Sequence, residues 1–276
     1  MADYEVVHVA VGAPAVLDEE LVKKVSEIVG KNLYETRLRL TGKIPKIIAN
    51  HNTLQHAQLT AQGLRGLGLV AIVFTDSELR RAWQVFQARN LKLEEQAVIF
   101  CDRSGQEKRL EASEAFLILT GKVEGYTEKE TTKIVKKLNV PLTLLTGGIP
   151  ISKKVKEKTV SKSFQKESFL RLYNRTSPEP AIEIKQHDFD YSFLGVEMAS
   201  SAASNFGIAV RKIRETFTGA VFEDRLIDPL GASIPATVEQ ENIESNCKLI
   251  YWYHQALSNA GTSLQLIIDS PGITEK

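Results

Sequence analysis

The sequence predicts an α+β protein: a small N-terminal βααβαβ module, a mainly β module closed by a helix, and a C-terminal helix. Three observations carry this. Residues 1–75 alternate short β-branched runs with stretches of helical spacing; the middle of the chain holds a succession of alternating Thr- and Val-rich segments; and an apolar face recurs at helical spacing from Ile243 to Leu257. The expected boundaries are 1–75 for the first module, 76–96 for a linker or docking helix, 97–227 for the β module and 228–276 for the C-terminal extension. At 276 residues, with a hydrophobic fraction of 43%, the chain has material for more than one core.

Val6 to Val11 reads as a buried strand closed by Gly12 and Pro14. Asp18-Glu19-Glu20 places negative charge at a helix start, and Leu21, Val25 and Ile28 continue at helical spacing until Gly30 to Asn32 break it. A short second helix takes Leu33, Leu38 and Leu40 as its apolar positions, and Ile44 to Ala49 is a strand. Thr53 caps a third helix lined by Ala57, Ala61, Leu64 and Leu67, which ends at Gly66-Leu67-Gly68 before the strand Leu69 to Phe74.

This order, together with Gly30-Lys31-Asn32-Leu33, Tyr34-Glu35-Thr36-Arg37, Pro45 and Gly68, resembles the C-terminal domain of the large-subunit ribosomal stalk protein. In that family a helical hairpin turns at Gly-Leu-Gly-Leu followed by Lys-Glu-Ala-Lys, with a proline before the second strand and a glycine before the last. Asn32 replaces one glycine, and asparagine tolerates the left-handed conformation better than most residues. The resemblance covers the first third of the chain or less. It implies a βααβαβ fold and recruitment of translation factors through basic residues on the first two helices; the family's turn lysine is here Tyr34, while Lys24, Lys31 and Arg37 keep positive charge nearby.

Beyond it, Asp76 to Gln96 carries Leu79, Trp83 and Phe86 at helical spacing. Ala97 to Asp102, a turn at Arg103-Ser104-Gly105 and one long segment from Lys108 through Val123 read as a hairpin. Thr127 to Asn139 is compatible with helix or strand; Lys153 to Ser161 and Ser168 to Tyr173 read as partner strands, Ala181 to Lys185 as another, and Ser200 to Thr216 as a helix. Strands closed by one amphipathic helix resemble pleckstrin-homology-like barrels. Thr237 caps the final helix, in which Tyr251, Trp252 and Tyr253 serve either as packing on the chain's own core or as a partner interface. A short apolar run, Leu264 to Ile268, and a polar tail follow.

A formal charge of +1 excludes a surface that is basic throughout. Two distant cysteines, Cys101 and Cys247, fit a reduced compartment, with Cys101 expected as a buried thiol. The start of the chain shows no signal-peptide pattern and no stretch has the roughly 18 apolar residues of a spanning helix, so a cytoplasmic protein is expected.

No set of residues spells a cofactor, metal or catalytic motif. His51 and His56 are five apart with no glutamate between them, unlike a zinc pair at spacing four. Thr41-Gly42-Lys43, Thr120-Gly121-Lys122 and Thr146-Gly147-Gly148 lack the rest of a phosphate loop and read as turns. His187-Asp188-Phe189-Asp190 reads as a hydrogen-bonded turn. Lys153, Lys154, Lys156, Lys158, Lys162 and Lys166 form either a solvated edge strand or a face for nucleic acid or acidic lipid headgroups. The function expected is therefore a non-enzymatic interaction or scaffold protein with a protein partner. The alternatives are a binder of an anionic ligand through the lysine run, and an enzyme assembled from distant residues such as Asp188, Asp190, Glu223, Asp224 and Arg225.

Overall fold

The structure is a computed structural model that describes the backbone of residues 5–138, 152–226 and 240–268 and the side chains of residues 5–123, 167–226 and 243–259. It divides into two units, Met1–Val123 with Ser168–Lys276, and Glu124–Glu167. The class is α+β with a C-terminal helix. Among the described residues no helix is long and apolar enough to cross a membrane.

The first module runs β1 (Val7–Val11), α1 (Glu19–Val29), α2 (Leu33–Leu40), β2 (Lys46–His51), α3 (Leu54–Gly66) and β3 (Ala71–Thr75), with β1 central and antiparallel to both neighbours. Each helix starts where a side chain takes up a free backbone N–H. Asp18 accepts from Leu21, Asn32 from Glu35 and Thr53 from His56. Gly30 supplies the left-handed residue that stops α1 (φ 65°). Asn32, expected to tolerate that conformation, is extended (φ −70°) because its side chain is used as the cap of α2.

Alternation along β1 divides the module. Val7, Val9 and Val11 face a core with Val22, Val25, Leu40, Ala57, Ala61 and Leu64, whereas Ala10, Ile72 and Phe74 turn to the opposite face. The inward face of α2 is narrower than expected. Thr36 and Leu40 are buried, while Leu33 and Leu38 lie exposed.

From Asp76 the expected linker helix is only one turn long, α4 (Asp76–Arg80). Two short strands follow, β4 (Val85–Gln87) and β5 (Asn90–Leu93), then β6 (Ala97–Cys101) and β7 (Glu107–Glu111). Strands β5, β6 and β7 make a three-stranded antiparallel sheet, its hairpin closed by Gly105 (φ 84°) and by Asp102, whose carboxylate accepts from the Ser104 and Gln106 backbone.

A five-stranded sheet of order β11-β8-β9-β10-β4 adds β8 (Ala115–Leu138), β9 (Ser152–Asn174), β10 (Ala181–Lys185) and β11 (Val221–Leu226). The one long segment expected from Lys108 through Val123 is divided between two strands, β7 and β8. The open segment from Thr127 is strand as far as Leu138, and the two strands expected between 153 and 173 are one, β9. Helix α5 (Ala202–Thr216), capped by Ser201, precedes β11, and α6 (Gln240–Ile268) ends the described chain. Thr237, expected to cap α6, lies outside the described residues, and the run from Leu264 belongs to the helix.

The strand period of two sets which helix each face meets. Ile118, Leu170, Leu172, Ile182 and Ile184 pack with Phe206, Ala209 and Ile213 of α5 and with Val98, Phe100 and Leu110 of the smaller sheet. The alternate residues Leu117, Leu119, Phe169, Tyr173 and Ala181 pack with Ile243, Cys247, Ile250 and Tyr251 of α6. A different stripe of α6 carries Leu249, which covers Ala10, Ile72 and Phe74 of the first module.

Candidate functional site

Among the described residues the buried charged groups Arg171, Glu183, Glu223 and Lys248 collect where α6 crosses the five-stranded sheet. Gln87 on β4, Glu183 on β10 and Arg171 on β9 stand in register and form a row across three strands. Arg171 Nε donates to Glu183 at 2.5 Å, Gln87 Nε2 donates to the same carboxylate at 2.6 Å, and the Arg171 fork grips Glu244 of α6. Burial works against the Arg171 charge, but the Glu244 and Glu183 carboxylates outweigh it and hold the pKa above its ordinary value. Removing one member of such a set strands a buried charge at a cost of about 3–5 kcal/mol. The row therefore fixes how α6 lies on the sheet.

Farther along the same helix, His254 Nε2 meets Glu223 of β11 at 3.1 Å, and Arg225 Nε reaches the same carboxylate at 3.0 Å. Burial pushes the Glu223 carboxyl up, yet the His254 contact and the Arg225 backbone and charge together hold it below the ordinary carboxylate range. Glu223 and Arg225 are the two members of the expected distant set that the fold brings together. Asp188 instead pairs with Arg89 at 3.2 Å, Asp190 accepts from Ser192, and Asp224 is exposed.

Lys248 is almost fully buried, its ammonium donating to the carbonyls of Glu78, Leu79 and Arg81 at the end of α4. Burial pushes its pKa down. Beside it lies a cleft of about 620 Å³ lined by Asp76, Arg80, Arg81, Glu244 and Ser245 among others. Its charges are matched locally, Arg80 on Asp76 at 2.6 Å and Arg81 on Glu179. Cys247 is buried against this framework, and desolvation pushes its thiol up to about 12, which keeps it protonated at neutral pH. Cys101, expected to be buried, is half-buried at the end of β6.

The aromatic residues of α6 turn inward. Tyr251 is 1% exposed and meets Trp83, Phe116 and Tyr173, and Trp252 stacks on Phe74 at 4.9 Å. Tyr253 is half-buried and lies against Gly12, whose missing side chain leaves room for the ring. Internal packing, one of the two roles expected for these rings, is where the structure places Tyr251 and Trp252. The backbone of Lys153, Lys154, Lys156, Lys158, Lys162 and Lys166 belongs to β9, and their side chains lie outside the described residues. Thr146-Gly147-Gly148 also lies outside them. His51 bonds Thr60 at 3.0 Å, and no metal-holding group of three His, Cys, Asp or Glu side chains occurs among the described residues.

Thr120-Gly121-Lys122, expected as a turn, lies inside β8. A Cβ on Gly121 would stand 2.7 Å from the Phe169 ring and 2.8 Å from Leu226, so close packing, not a bend, requires the glycine. On the other face of that strand a hollow of about 210 Å³ opens between β8, β9, β11 and α5, walled by Phe206, Val210 and Phe222 with Ser168 of β9 beside them.

Sequence reasoning missed Arg171, Glu183, Glu244 and Lys248. The available signal was a lone charge inside an apolar strand: Arg171 within Phe169-Leu170-Arg171-Leu172-Tyr173 and Glu183 within Ala181-Ile182-Glu183-Ile184. Buried charges are rare unless paired, so opposite charges in two such runs point to one another. Comparison with protein-family models, characterised proteins and solved structures finds no match to this chain.

Proposed function

We propose that the chain is a non-enzymatic interaction or scaffold protein that docks on a protein partner through the second helix of its first module. The observation that supports this is the apolar strip left outside on α2, where Leu33, Tyr34 and Leu38 are 55%, 80% and 49% exposed on a helix of eight residues. Tyr34 and Leu38 are one turn apart and so share a face, and Tyr and exposed aliphatics beside Arg37 are what a partner-facing helix needs. The resemblance to the stalk domain points to the same hairpin, with aromatic and aliphatic side chains taking the place of the family's basic contacts. The interior charges favour this reading over an assembled active site, since Arg171, Glu183, Glu223 and Lys248 have partners inside the chain and position α6.

The test is affinity purification of the full chain from its native cells, wild type beside Tyr34→Ser/Leu38→Ser. A partner held in near-stoichiometric amount by the wild type and lost by the variant, with unchanged thermal unfolding, is the expected result. Wild-type protein that elutes alone, or a variant that keeps every partner, would overturn the proposal.

A further inference from the structure

We propose that the hollow between β8, β9, β11 and α5 is a binding site for a small monocarboxylate with an apolar body, of the size of octanoate or phenylacetate. One wall is strand β8. Its residues alternate, and on the α5 side Ile118 belongs to the packed core while the next two positions on that face are Thr120 and Lys122. The apolar layer therefore stops at Thr120, and the hollow begins there.

Thr120 is 2% exposed, and its hydroxyl has no hydrogen-bond partner. Buried hydroxyls are nearly always bonded, so one left open on the wall of a hollow is a place for a ligand oxygen. Lys122 lines the same hollow from an exposed position, which puts a cation at its rim. A hydroxyl and an ammonium two residues apart on one face of a strand suit the two oxygens of a carboxylate.

The opposite wall comes from α5. Gly207 sits inside that helix, where glycine is unfavourable, yet a Cβ added there would meet nothing within 4 Å. Crowding does not account for this glycine. Gly207 is itself exposed, so it stands at the mouth of the hollow and leaves that side open. Phe206 and Val210 flank the gap, and Phe222 closes it, held from one side by the Arg214 guanidinium 3.7 Å from its ring centroid.

Size and polarity then narrow the ligand. A closed apolar cavity of about 150 Å³ accepts benzene, so this half-open hollow of about 210 Å³ holds the body of a molecule of roughly eight to ten heavy atoms and leaves its charged end at the mouth. Its body must be apolar to match Phe206, Val210 and Phe222, and its polar end must accept from Thr120 and carry negative charge toward Lys122.

The experiment is a titration of the full chain with sodium octanoate and sodium phenylacetate, followed by calorimetry and by amide chemical shifts, with 1-octanol as the uncharged control. Saturable binding in the micromolar to millimolar range, with octanoate tighter than octanol, is expected. Gly207→Leu fills the hollow while replacing an unfavourable helix residue by a favourable one, and should abolish binding without lowering the melting temperature. Thr120→Val keeps the shape and removes the hydroxyl, and should weaken octanoate at least about tenfold. Lys122→Gln should erase the preference for octanoate over octanol. Absence of saturable binding by either acid, or undiminished binding by a folded Gly207→Leu or Thr120→Val protein, overturns the assignment.

Discussion

At the scale of single residues, the charges of the interior decide more than their number suggests. Glu223 is buried, and burial alone would push its carboxyl up; the contact with His254, with Arg225 beside it, reverses the direction. A carboxyl whose folded pKa lies below its unfolded value, about 4.3, adds stability that is complete above that value and is lost as pH falls through the folded pKa. His254→Leu deletes the imidazole that opposes desolvation, so the Glu223 pKa should rise and acid destabilisation should begin at higher pH. Urea unfolding between pH 3 and pH 7 should show the variant losing stability at a higher pH than the wild type as the medium is acidified. Superimposable acid limbs for the two proteins would show that the pair does not govern Glu223. Thr120-Gly121-Lys122 is likewise decided by its immediate neighbours. A glycine between polar residues signals a turn, but here Phe169 and Leu226 occupy the space of a side chain, and the strand runs straight through.

At the scale of elements, α4 shows how a helix of five residues persists. Isolated helices this short are unstable in water. Thr75 and Glu78 close a capping box at one end, and the Lys248 ammonium gathers the carbonyls of Glu78, Leu79 and Arg81 at the other. Lys248→Met keeps the buried stem and removes the donor, leaving three carbonyls without this partner. Hydrogen exchange in the segment from Ser77 to Ala82 should then accelerate at least about tenfold, while exchange in β6 stays unchanged. Equal protection in both proteins would assign the helix to its N-cap alone. Much of the element order was legible in the sequence because caps, glycines and the two hydrophobic periods agreed in the first module. Residues 85–93 were not legible: Leu79, Trp83 and Phe86 fall at helical spacing by coincidence, and strands of three and four residues are too short to display a period of two. The single strand β9 was divided because its lysine-rich part and its apolar part differ in composition, not in backbone. The Arg171 row was hidden for another reason. Its members come from four separate segments, and only strand register and helix placement unite them.

At the scale of the molecule, α6 holds two cores together. One stripe, with Ile243, Cys247, Ile250 and Tyr251, belongs to the five-stranded sheet; another, with Leu249, belongs to the outer face of the first module's sheet, and Trp252 touches both. The first module has its own core on its other face, built from Val9, Val25, Ile48, Ala57, Ala61 and Leu64. It therefore has what it needs to stay folded when undocked, at the cost of exposing Ala10, Ile72 and Phe74. Leu249→Asp tests this directly, because it places a carboxylate against those three apolar residues and leaves the stripe facing the five-stranded sheet intact. Burying an unpaired carboxylate there costs several kcal/mol, so the module should separate instead of bury it. Calorimetry should then show one transition for the wild type and two for the variant, and protease should cut the variant first between Asp76 and Gln84. A variant that still unfolds in one step at a uniformly lower temperature would mean that the two cores are cooperative through contacts other than Leu249, and that the first module has no stability of its own.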